Sequence, residues 1–237
     1  MHLATLITNT DFSDFAQARP DDGEKFDAMI RGVRPGWTTT PFWVCKDEFP
    51  DDLGAFDGVM ITGSPASVLD GAPWMVRLED LVCDLIEARI PLFAACFGHQ
   101  LVAKAMGCRI VRNPEGWGHG RLELDRVARV SWSGPGKQVA LYGSHIEQVE
   151  RAPDGARVLF SGRGCPVAGF ALGNRVFTVQ HHPEMDHAFI SDLVAEYADY
   201  VGPEVTERAM ASLERPVDTG AFAEEIARFF EIATEGR

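Results

Sequence analysis

The sequence has no long apolar segment and comparatively few basic residues. No run of 18 or more apolar residues occurs, so we expect no transmembrane helix. Residues 1–7 lack the basic region and long apolar core that mark a secretory signal peptide. The 22 lysines and arginines are outnumbered by 35 aspartates and glutamates, which gives a formal net charge of −13. Because phosphate binding needs clustered basic side chains, this excess argues against nucleic acid or a membrane surface as a partner.

Paired cysteines are also lacking. The five cysteines are an odd number, they are widely spaced, and none forms a Cys-x-x-Cys pair of the kind that binds zinc or acts as a redox couple. In the absence of a secretion signal, reduced thiols in the cytoplasm are the expectation. The sequence therefore predicts a cytoplasmic protein with neither a metal site nor an organic cofactor.

The first half of the chain alternates segments of strand and helix character. Strands are predicted at 3–8, 38–45, 56–62 and 91–95, and helices at 22–32, 73–89 and 97–106. This alternation is typical of an α/β fold, in which a doubly wound, mostly parallel sheet is covered by helices on both faces. Ligands of such sheets bind at the carboxyl ends of the strands.

The second half begins with short strand-like runs and ends with helices. The runs at 122–124, 128–132, 139–141, 157–160, 167–171 and 176–179 predict an antiparallel extension of the sheet, with 113–120 as a glycine-rich loop. Helices are predicted at 188–200, 203–213 and 220–233. We expect the aromatic face of the last helix to pack on the body and to cover one side of the site. The predicted organisation is one domain over 1–200 and a C-terminal helical extension over 201–237 packed on it.

A cysteine marks the junction between a buried strand and a helix. The apolar run 90–95 ends at Cys96, and a helix is predicted from Phe97 onward. The free N–H groups and the dipole at a helix N-terminus stabilise a thiolate, which is the nucleophilic form of cysteine. A cysteine in an apolar run is by itself more often a core residue, so a second feature is needed.

The second feature is a histidine followed by proline and glutamate. In the segment Gln180-His181-His182-Pro183-Glu184, the proline favours an extended backbone at His182, at the end of a predicted strand. Glu184 can accept a hydrogen bond from the imidazole and orient it. We therefore take Cys96, His182 and Glu184 as candidate nucleophile, base and orienting acid. His181 is an alternative base, but only His182 has the Pro-Glu continuation.

These segments resemble those of the triad-type class I glutamine amidotransferases. Ala95-Cys96-Phe97-Gly98-His99-Gln100 and 180–184 carry the resemblance. Residues 61–68 resemble the family's Gly-x-Pro loop, and 142–149 resemble a Ser-His segment of the amidotransferase half of GMP synthetases and their stand-alone relatives. The four segments occur in the family's order. The resemblance implies a flavodoxin-like class I amidotransferase fold and a place in the stand-alone branch that is similar to GMP synthetase amidotransferases.

The resemblance also implies a reaction and further site residues. Cys96 would attack the side-chain amide of glutamine, and the resulting γ-glutamyl thioester would be hydrolysed by water. The backbone N–H groups of Ser64 and Phe97 would form the oxyanion hole. Residues implied to bind substrate are Gly63, Gln100, Ser144 and His145. Each of these four could instead have a purely structural role in a turn or on a helix surface.

Three functions remain open at this point. The first is a glutaminase that releases ammonia. Because the sequence contains no P-loop and no synthetase domain, ammonia would pass to a separate synthetase or other accepting protein, or be released. The second is a γ-glutamyl peptidase or hydrolase that uses the same triad on peptides or conjugates. The third is a non-catalytic regulatory or scaffold subunit, which the presence of all three triad residues disfavours.

Overall fold

The computed structural model describes residues 1–235 of the chain. The strands are β1 (His2–Leu6), β2 (Thr38–Phe42), β3 (Gly58–Ile61), β4 (Leu92–Ala95), β5 (Ile110–Arg112), β6 (Gly118–Arg126), β7 (Gln138–His145), β8 (Glu147–Val149), β9 (Arg157–Gly162), β10 (Cys165–Leu172) and β11 (Val176–Val179). The helices are α1 (Asp14–Gln17), α2 (Asp22–Val33), α3 (Pro73–Glu87), α4 (Phe97–Ala105), α5 (His187–Glu196), α6 (Ala198–Val201), α7 (Pro203–Ser212) and α8 (Thr219–Thr234). Short 3-10 turns lie at Val44–Lys46 and Leu53–Ala55.

One large sheet organises the fold. Its strand order is β2-β1-β3-β4-β11-β10-β9-β6-β7, and β5 pairs separately with β8. Strands β2, β1, β3, β4 and β11 run parallel to one another. From β11 to β7 each neighbouring pair is antiparallel. The predicted α/β fold, with a parallel sheet continued by antiparallel strands, is confirmed.

Helices cover both faces of the parallel half. Along β4, Leu92 and Ala94 belong to the core cluster that includes residues of α3 and α4, whereas Phe93 and Ala95 belong to the cluster that includes residues of α2 and α8. A strand that is buried on both faces needs an unbroken apolar sequence, as β4 has. The carboxyl ends of these strands are therefore the part of the sheet where a ligand can approach.

The strand predicted at 128–132 is wrong. Residues 127–130 have no regular secondary structure, although Val127 N–H donates to the Leu159 carbonyl at 2.9 Å. The Arg129 guanidinium donates to the backbone carbonyls of Pro135 and Gly136, and Trp132 is fully buried. The apolar residues of this segment thus reflect a loop that packs one tryptophan into the core, and not a strand.

The glycine-rich loop predicted at 113–120 is wrong in its last part. Gly118–Gly120 begins β6, and Gly118 pairs with His145 of β7. Gly120 has a φ of +92°, and a Cβ atom added there would lie 2.9 Å from the Ala209 carbonyl of α7.

The short strands β5 and β8 were not predicted, because three-residue strands are too short to show a period. The helix predicted at 188–200 is divided into α5 and α6.

The last helix packs on the body, as its aromatic face predicted. Phe222 and Phe229 are fully buried, with ring centroids 5.6 and 5.8 Å from that of Phe177 in β11. α8 also packs against α2. The expectation that it covers the site is wrong, since no residue of Thr219–Thr234 lines the cavity described below. A boundary at residue 200 between a domain and an extension stays a prediction.

A buried ion pair joins α8 to the sheet. The guanidinium of Arg126, at the end of β6, donates to both carboxylate oxygens of Glu225, at 2.6 and 3.0 Å. The two side chains are only 2% and 4% exposed. Two charges withdrawn from water in this way are stable only as a pair, because either one alone would be buried without a partner.

We predict that Glu225→Ala lowers the free energy of unfolding by about 3–5 kcal/mol, the usual cost of leaving one buried charge unpaired. Urea denaturation followed by circular dichroism measures the effect. Asp154→Ala is the matched control, since Asp154 pairs with Arg151 at the surface and should leave the unfolding midpoint nearly unchanged. Equal midpoints for the two variants would show that the buried pair has no special importance.

Candidate active site

The candidate triad, oxyanion-hole and substrate-binding residues all line one cavity of about 850 Å³, whereas the alternative base His181 does not. The cavity lies at the carboxyl ends of the parallel strands, where α/β folds bind ligands. Its lining includes the triad candidates Cys96, His182 and Glu184, and the further candidates Gly63, Ser64, Phe97, Gln100, Ser144 and His145. The structure thus brings together residues that are more than a hundred positions apart in the sequence.

Cys96 occupies a strained turn between β4 and α4. Its φ is +48°, a value that residues other than glycine rarely adopt. Two backbone hydrogen bonds hold it there: the Cys96 N–H donates to the Val179 carbonyl at 2.9 Å, and the Gln100 N–H donates to the Cys96 carbonyl at 3.1 Å. Backbone strain of this kind costs about 1–3 kcal/mol and is found mainly at functional sites.

The loop after β3 lies directly against the histidine and the cysteine. A Cβ atom added to Gly63 would be 2.6 Å from His182 Cε1 and 3.5 Å from Cys96 Cβ. Only glycine allows this approach. The next residue is Ser64, whose hydroxyl accepts from the Ala66 N–H at 3.2 Å and so fixes the turn. The N–H of Phe97 is the first of α4, and N–H groups at that position have no partner within the helix.

His182 and Glu184 form a buried hydrogen-bonded pair. His182 Nδ1 is 2.7 Å from Glu184 Oε1, and the side chains are 7% and 1% exposed. The His182 N–H donates to the Tyr142 carbonyl at 2.8 Å, which anchors the backbone. Burial acts to lower the pKa of His182, but the Glu184 carboxylate and the Cys96 sulfur outweigh it and hold that pKa well above 6.5. Because Nδ1 is hydrogen-bonded to the Glu184 carboxylate, Nε2 is the imidazole nitrogen that is available to Cys96.

The neighbouring His181 faces away from the cavity. Its ring lies edge-on to that of His145, with centroids 5.4 Å apart, and a Cβ atom added to Gly143 would be 2.7 Å from its Cδ2. Burial and the nearby histidines lower the pKa of His181 well below 6.5. Only His182 of the two lines the cavity together with Cys96. The geometry favours His182.

A side-chain network that was not predicted reaches the cysteine. The Gln180 amide donates from Nε2 to Cys96 Sγ at 3.7 Å, and its Oε1 accepts from Gln100 Nε2 at 3.1 Å. Gln100 Nε2 also donates to the Glu147 carbonyl at 2.8 Å. Gln180 precedes His182 by two positions, the spacing that places two side chains on one side of an extended segment. That spacing was the one available signal for it in the sequence.

The two remaining histidines near the site are packed and neutral. His145 Nδ1 is 3.2 Å from the Glu147 carbonyl oxygen, and burial lowers the pKa of His145 to about 4. His99 lies behind the cavity, with Nδ1 2.8 Å from Thr178 Oγ1, and burial lowers its pKa to about 3. Both imidazoles stay uncharged at neutral pH and serve to fix the surrounding backbone.

The described part of the chain shows neither a metal-binding cluster nor a membrane-spanning helix. Among residues 1–235, no group of three or more His, Cys, Asp or Glu side chains is arranged to hold a metal ion. No helix of the same residues is long and apolar enough to cross a membrane.

Proteins with sequences similar to this chain include a peptidase and a synthase. Gamma-glutamyl peptidase 3 of Arabidopsis thaliana is 27% identical over 192 residues, which cover 77% of this chain and 72% of that protein. The glutamine-hydrolysing GMP synthase of Aeropyrum pernix is 34% identical over 142 residues, which cover 60% of this chain but only 27% of the synthase. This chain is therefore similar to one part of that synthase.

Similarity of structure and of family pattern extends over most of the chain. The crystal structure of a glutamine amidotransferase from Thermotoga maritima superimposes with a TM-score of 0.75 and 18% identity, over 97% of this chain and 98% of the other, which shows a shared fold. The family model of class I glutamine amidotransferases matches residues 35–190, and with them every candidate site residue. The chain belongs to the class I glutamine amidotransferase family.

Proposed function

We propose that this protein hydrolyses the side-chain amide of γ-glutamyl compounds, of which glutamine is the simplest, through a thioester on Cys96. The observation that carries the proposal is the buried His182–Glu184 pair, which lies in one cavity with a cysteine at a strained strand-to-helix turn. Nucleophile, base and orienting acid are the three parts that covalent amide hydrolysis requires.

In the first half-reaction His182 takes the thiol proton from Cys96, and the sulfur attacks the amide carbonyl carbon. The tetrahedral intermediate collapses when the carbon–nitrogen bond breaks. His182 returns its proton to the leaving nitrogen, so ammonia or an amine departs and a γ-glutamyl thioester remains. Glu184 stabilises the imidazolium that exists between the two transfers, which is the effect that raises the pKa of His182.

In the second half-reaction water replaces the amine. His182 takes a proton from water, and the oxygen attacks the thioester. The carbon–sulfur bond then breaks as His182 returns the proton to the sulfur, which gives glutamate and the Cys96 thiol. Both halves pass through an oxyanion. The N–H groups of Ser64 and Phe97 are the proposed donors to it, and removing one such donor typically raises the barrier by about 2.7–4 kcal/mol.

The α-amino acid end of the substrate is proposed to bind on the side of β7 and β8. The Nε2 hydrogen bonds of Gln100 fix the orientation of its amide and direct Oε1 as the acceptor for the substrate's ammonium group. Gly63 and the backbone of Ser144 and His145 complete the binding site, as the family resemblance implies. These residues line the same cavity as Cys96.

Two versions of this chemistry differ in the leaving group. With glutamine the product is ammonia, which would pass to a separate synthetase or be released, and the similarity to one part of a GMP synthase supports this version. With a γ-glutamyl peptide or conjugate the product is an amine. The similarity to a gamma-glutamyl peptidase supports the second version, as does a cavity whose volume lies in the upper part of the roughly 300–1,000 Å³ range of sites for drug-sized ligands.

We predict that an electrophilic diazoketone analogue of glutamine forms one covalent adduct, on Cys96. Mass spectrometry of the intact protein and of its peptides measures this. Cys96→Ala should abolish both the adduct and γ-glutamyl amide hydrolysis. Cys165→Ala is the control and should retain both, because burial raises the pKa of the Cys165 thiol to about 12 and keeps it protonated. Full hydrolytic activity in Cys96→Ala would disprove the thioester route.

We also predict that Glu184→Gln lowers the pKa of His182. The carboxylate that raises this pKa is removed, while burial, which lowers it, remains. NMR titration of the imidazole resonances measures the change, with the low pKa values of His99 and His145 as internal references. Glu150→Gln, which removes an exposed carboxylate paired with Arg109, is the control. An unchanged pKa in Glu184→Gln would remove the basis for assigning Glu184 as the orienting acid.

A further inference from the structure

The cavity continues well beyond the space that the triad and the α-amino acid site require. It extends from the end of β4 past β3 to the segments that follow β1 and β2, and there it is lined by Phe12, Phe15 and Trp43. Neighbouring strands of a sheet are about 4.8 Å apart. Trp43 follows a strand that is three places away from the strand of Cys96, so the two residues are farther apart than one small substrate molecule is long. A single glutamine leaves this part of the cavity empty.

The extension begins where the leaving nitrogen must be. His182 delivers the proton to that nitrogen in the proposed mechanism, so the nitrogen lies next to its imidazole. The chain that follows His182 leads through Met185 into α5, where Phe189 lines the same cavity. The rings of Phe15 and Phe189 are 6.1 Å apart, centroid to centroid, and so form adjoining walls. Whatever is attached to the leaving nitrogen thus shares one cavity with these aromatic side chains.

Two of the cations near these rings are already paired. Lys25 Nζ lies 3.7 Å from the centroid of Phe189 and 2.7 Å from an oxygen of Asp22, with both charged side chains 10% exposed or less. The Arg19 guanidinium lies 3.9 Å from the centroid of Phe15 and forms an ion pair with Asp192. Neither of these two cations is free to recognise a carboxylate on the substrate. A third, Lys46, lies with Nζ 4.0 Å from the centroid of Trp43 and 4.9 Å from that of Phe12, but it is not among the residues that line the cavity.

The wider lining is acidic. The carboxylates around the cavity are those of Asp11, Asp21, Asp22, Glu24, Glu147 and Glu184, against the basic side chains Arg19, Lys25 and Arg112. A leaving group that carried its own carboxylate would be repelled by this excess of negative charge. The aromatic side chains in the lining and the surrounding charge both favour a leaving group that is aromatic and free of carboxylates.

We propose that Phe12, Phe15, Trp43 and Phe189 form a leaving-group subsite, and that the preferred substrate is a γ-glutamyl amide of an amine that carries an aromatic ring but no carboxylate. The inference rests on the proposed γ-glutamyl hydrolysis and names its substrate class. In the reaction the amide carbon–nitrogen bond breaks, this amine leaves with the proton from His182, and water then converts the thioester to glutamate.

The test compares three substrates that share the γ-glutamyl group: the ethylamide, the phenethylamide and γ-glutamylphenylalanine. We expect kcat/KM for the phenethylamide to exceed that for the ethylamide by about 10- to 100-fold, because burial of a phenyl ring in an apolar site contributes to transition-state binding. We expect γ-glutamylphenylalanine to be the poorer of the two aromatic substrates, since it carries a carboxylate.

Variants of the subsite locate the effect. Phe189→Leu and Phe12→Ala should lower kcat/KM for the phenethylamide much more than for the ethylamide. Phe12 is 48% exposed, so its replacement leaves a folded protein even where Phe189→Leu does not. Phe49→Ala is the matched control, because Phe49 is also a half-buried ring beneath a cation, Arg77, but lies outside the cavity. It should leave the preference intact.

The outcomes separate the subsite from the reaction itself. Equal kcat/KM for ethylamide and phenethylamide, a preference for γ-glutamylphenylalanine, or a preference that survives both subsite variants would each overturn the inference while γ-glutamyl hydrolysis stands. If the three compounds are not hydrolysed but glutamine is, only the inference fails. If glutamine is not hydrolysed either, and none of the four acylates Cys96, the proposed function itself fails, and the inference fails with it.

Discussion

The conformation of one residue, Cys96, determines the rest of the site. A left-handed backbone at a cysteine is unfavourable, and it persists here because β4 is held between β3 and β11 while α4 packs against β3. A Cβ atom added to Gly98 would lie 2.9 Å from the Ile61 carbonyl, which shows how closely that helix approaches the strand. The stability of the sheet thus keeps the turn in a conformation that a short peptide would not retain.

Burial and charge oppose each other at His182, and the balance sets its chemistry. The same burial that keeps His99, His145 and His181 neutral would keep His182 neutral as well. The difference is the Glu184 carboxylate at 2.7 Å. Of the four histidines in this region, three have a lowered pKa and only His182 has a raised one, because only His182 faces an acid. The Cys96 sulfur raises the pKa of His182 in the same direction as Glu184 does.

The features that could be predicted from the sequence are those that depend on residues adjacent in the chain. The apolar run before Cys96, the start of α4 and the Pro-Glu continuation after His182 are local signals, and the structure has each of them where expected. The misassigned strand at 128–132 shows the limit, because burial of Trp132 in a loop leaves the same apolar signature as a strand. The contact of Gln180 with Cys96 joins β4 to β11, so its existence depended on a strand order that no local pattern encodes.

The packing of α8 has a consequence for how this chain is made. Phe177 of β11, in the middle of the sheet, is covered by Phe222 and Phe229, which are synthesised more than forty positions later. Until α8 leaves the ribosome, the nascent chain exposes an aromatic sheet face of the kind that promotes aggregation and recruits chaperones. A chain whose translation stops before residue 219 is therefore a substrate for quality control, although every residue of its cavity has already been made.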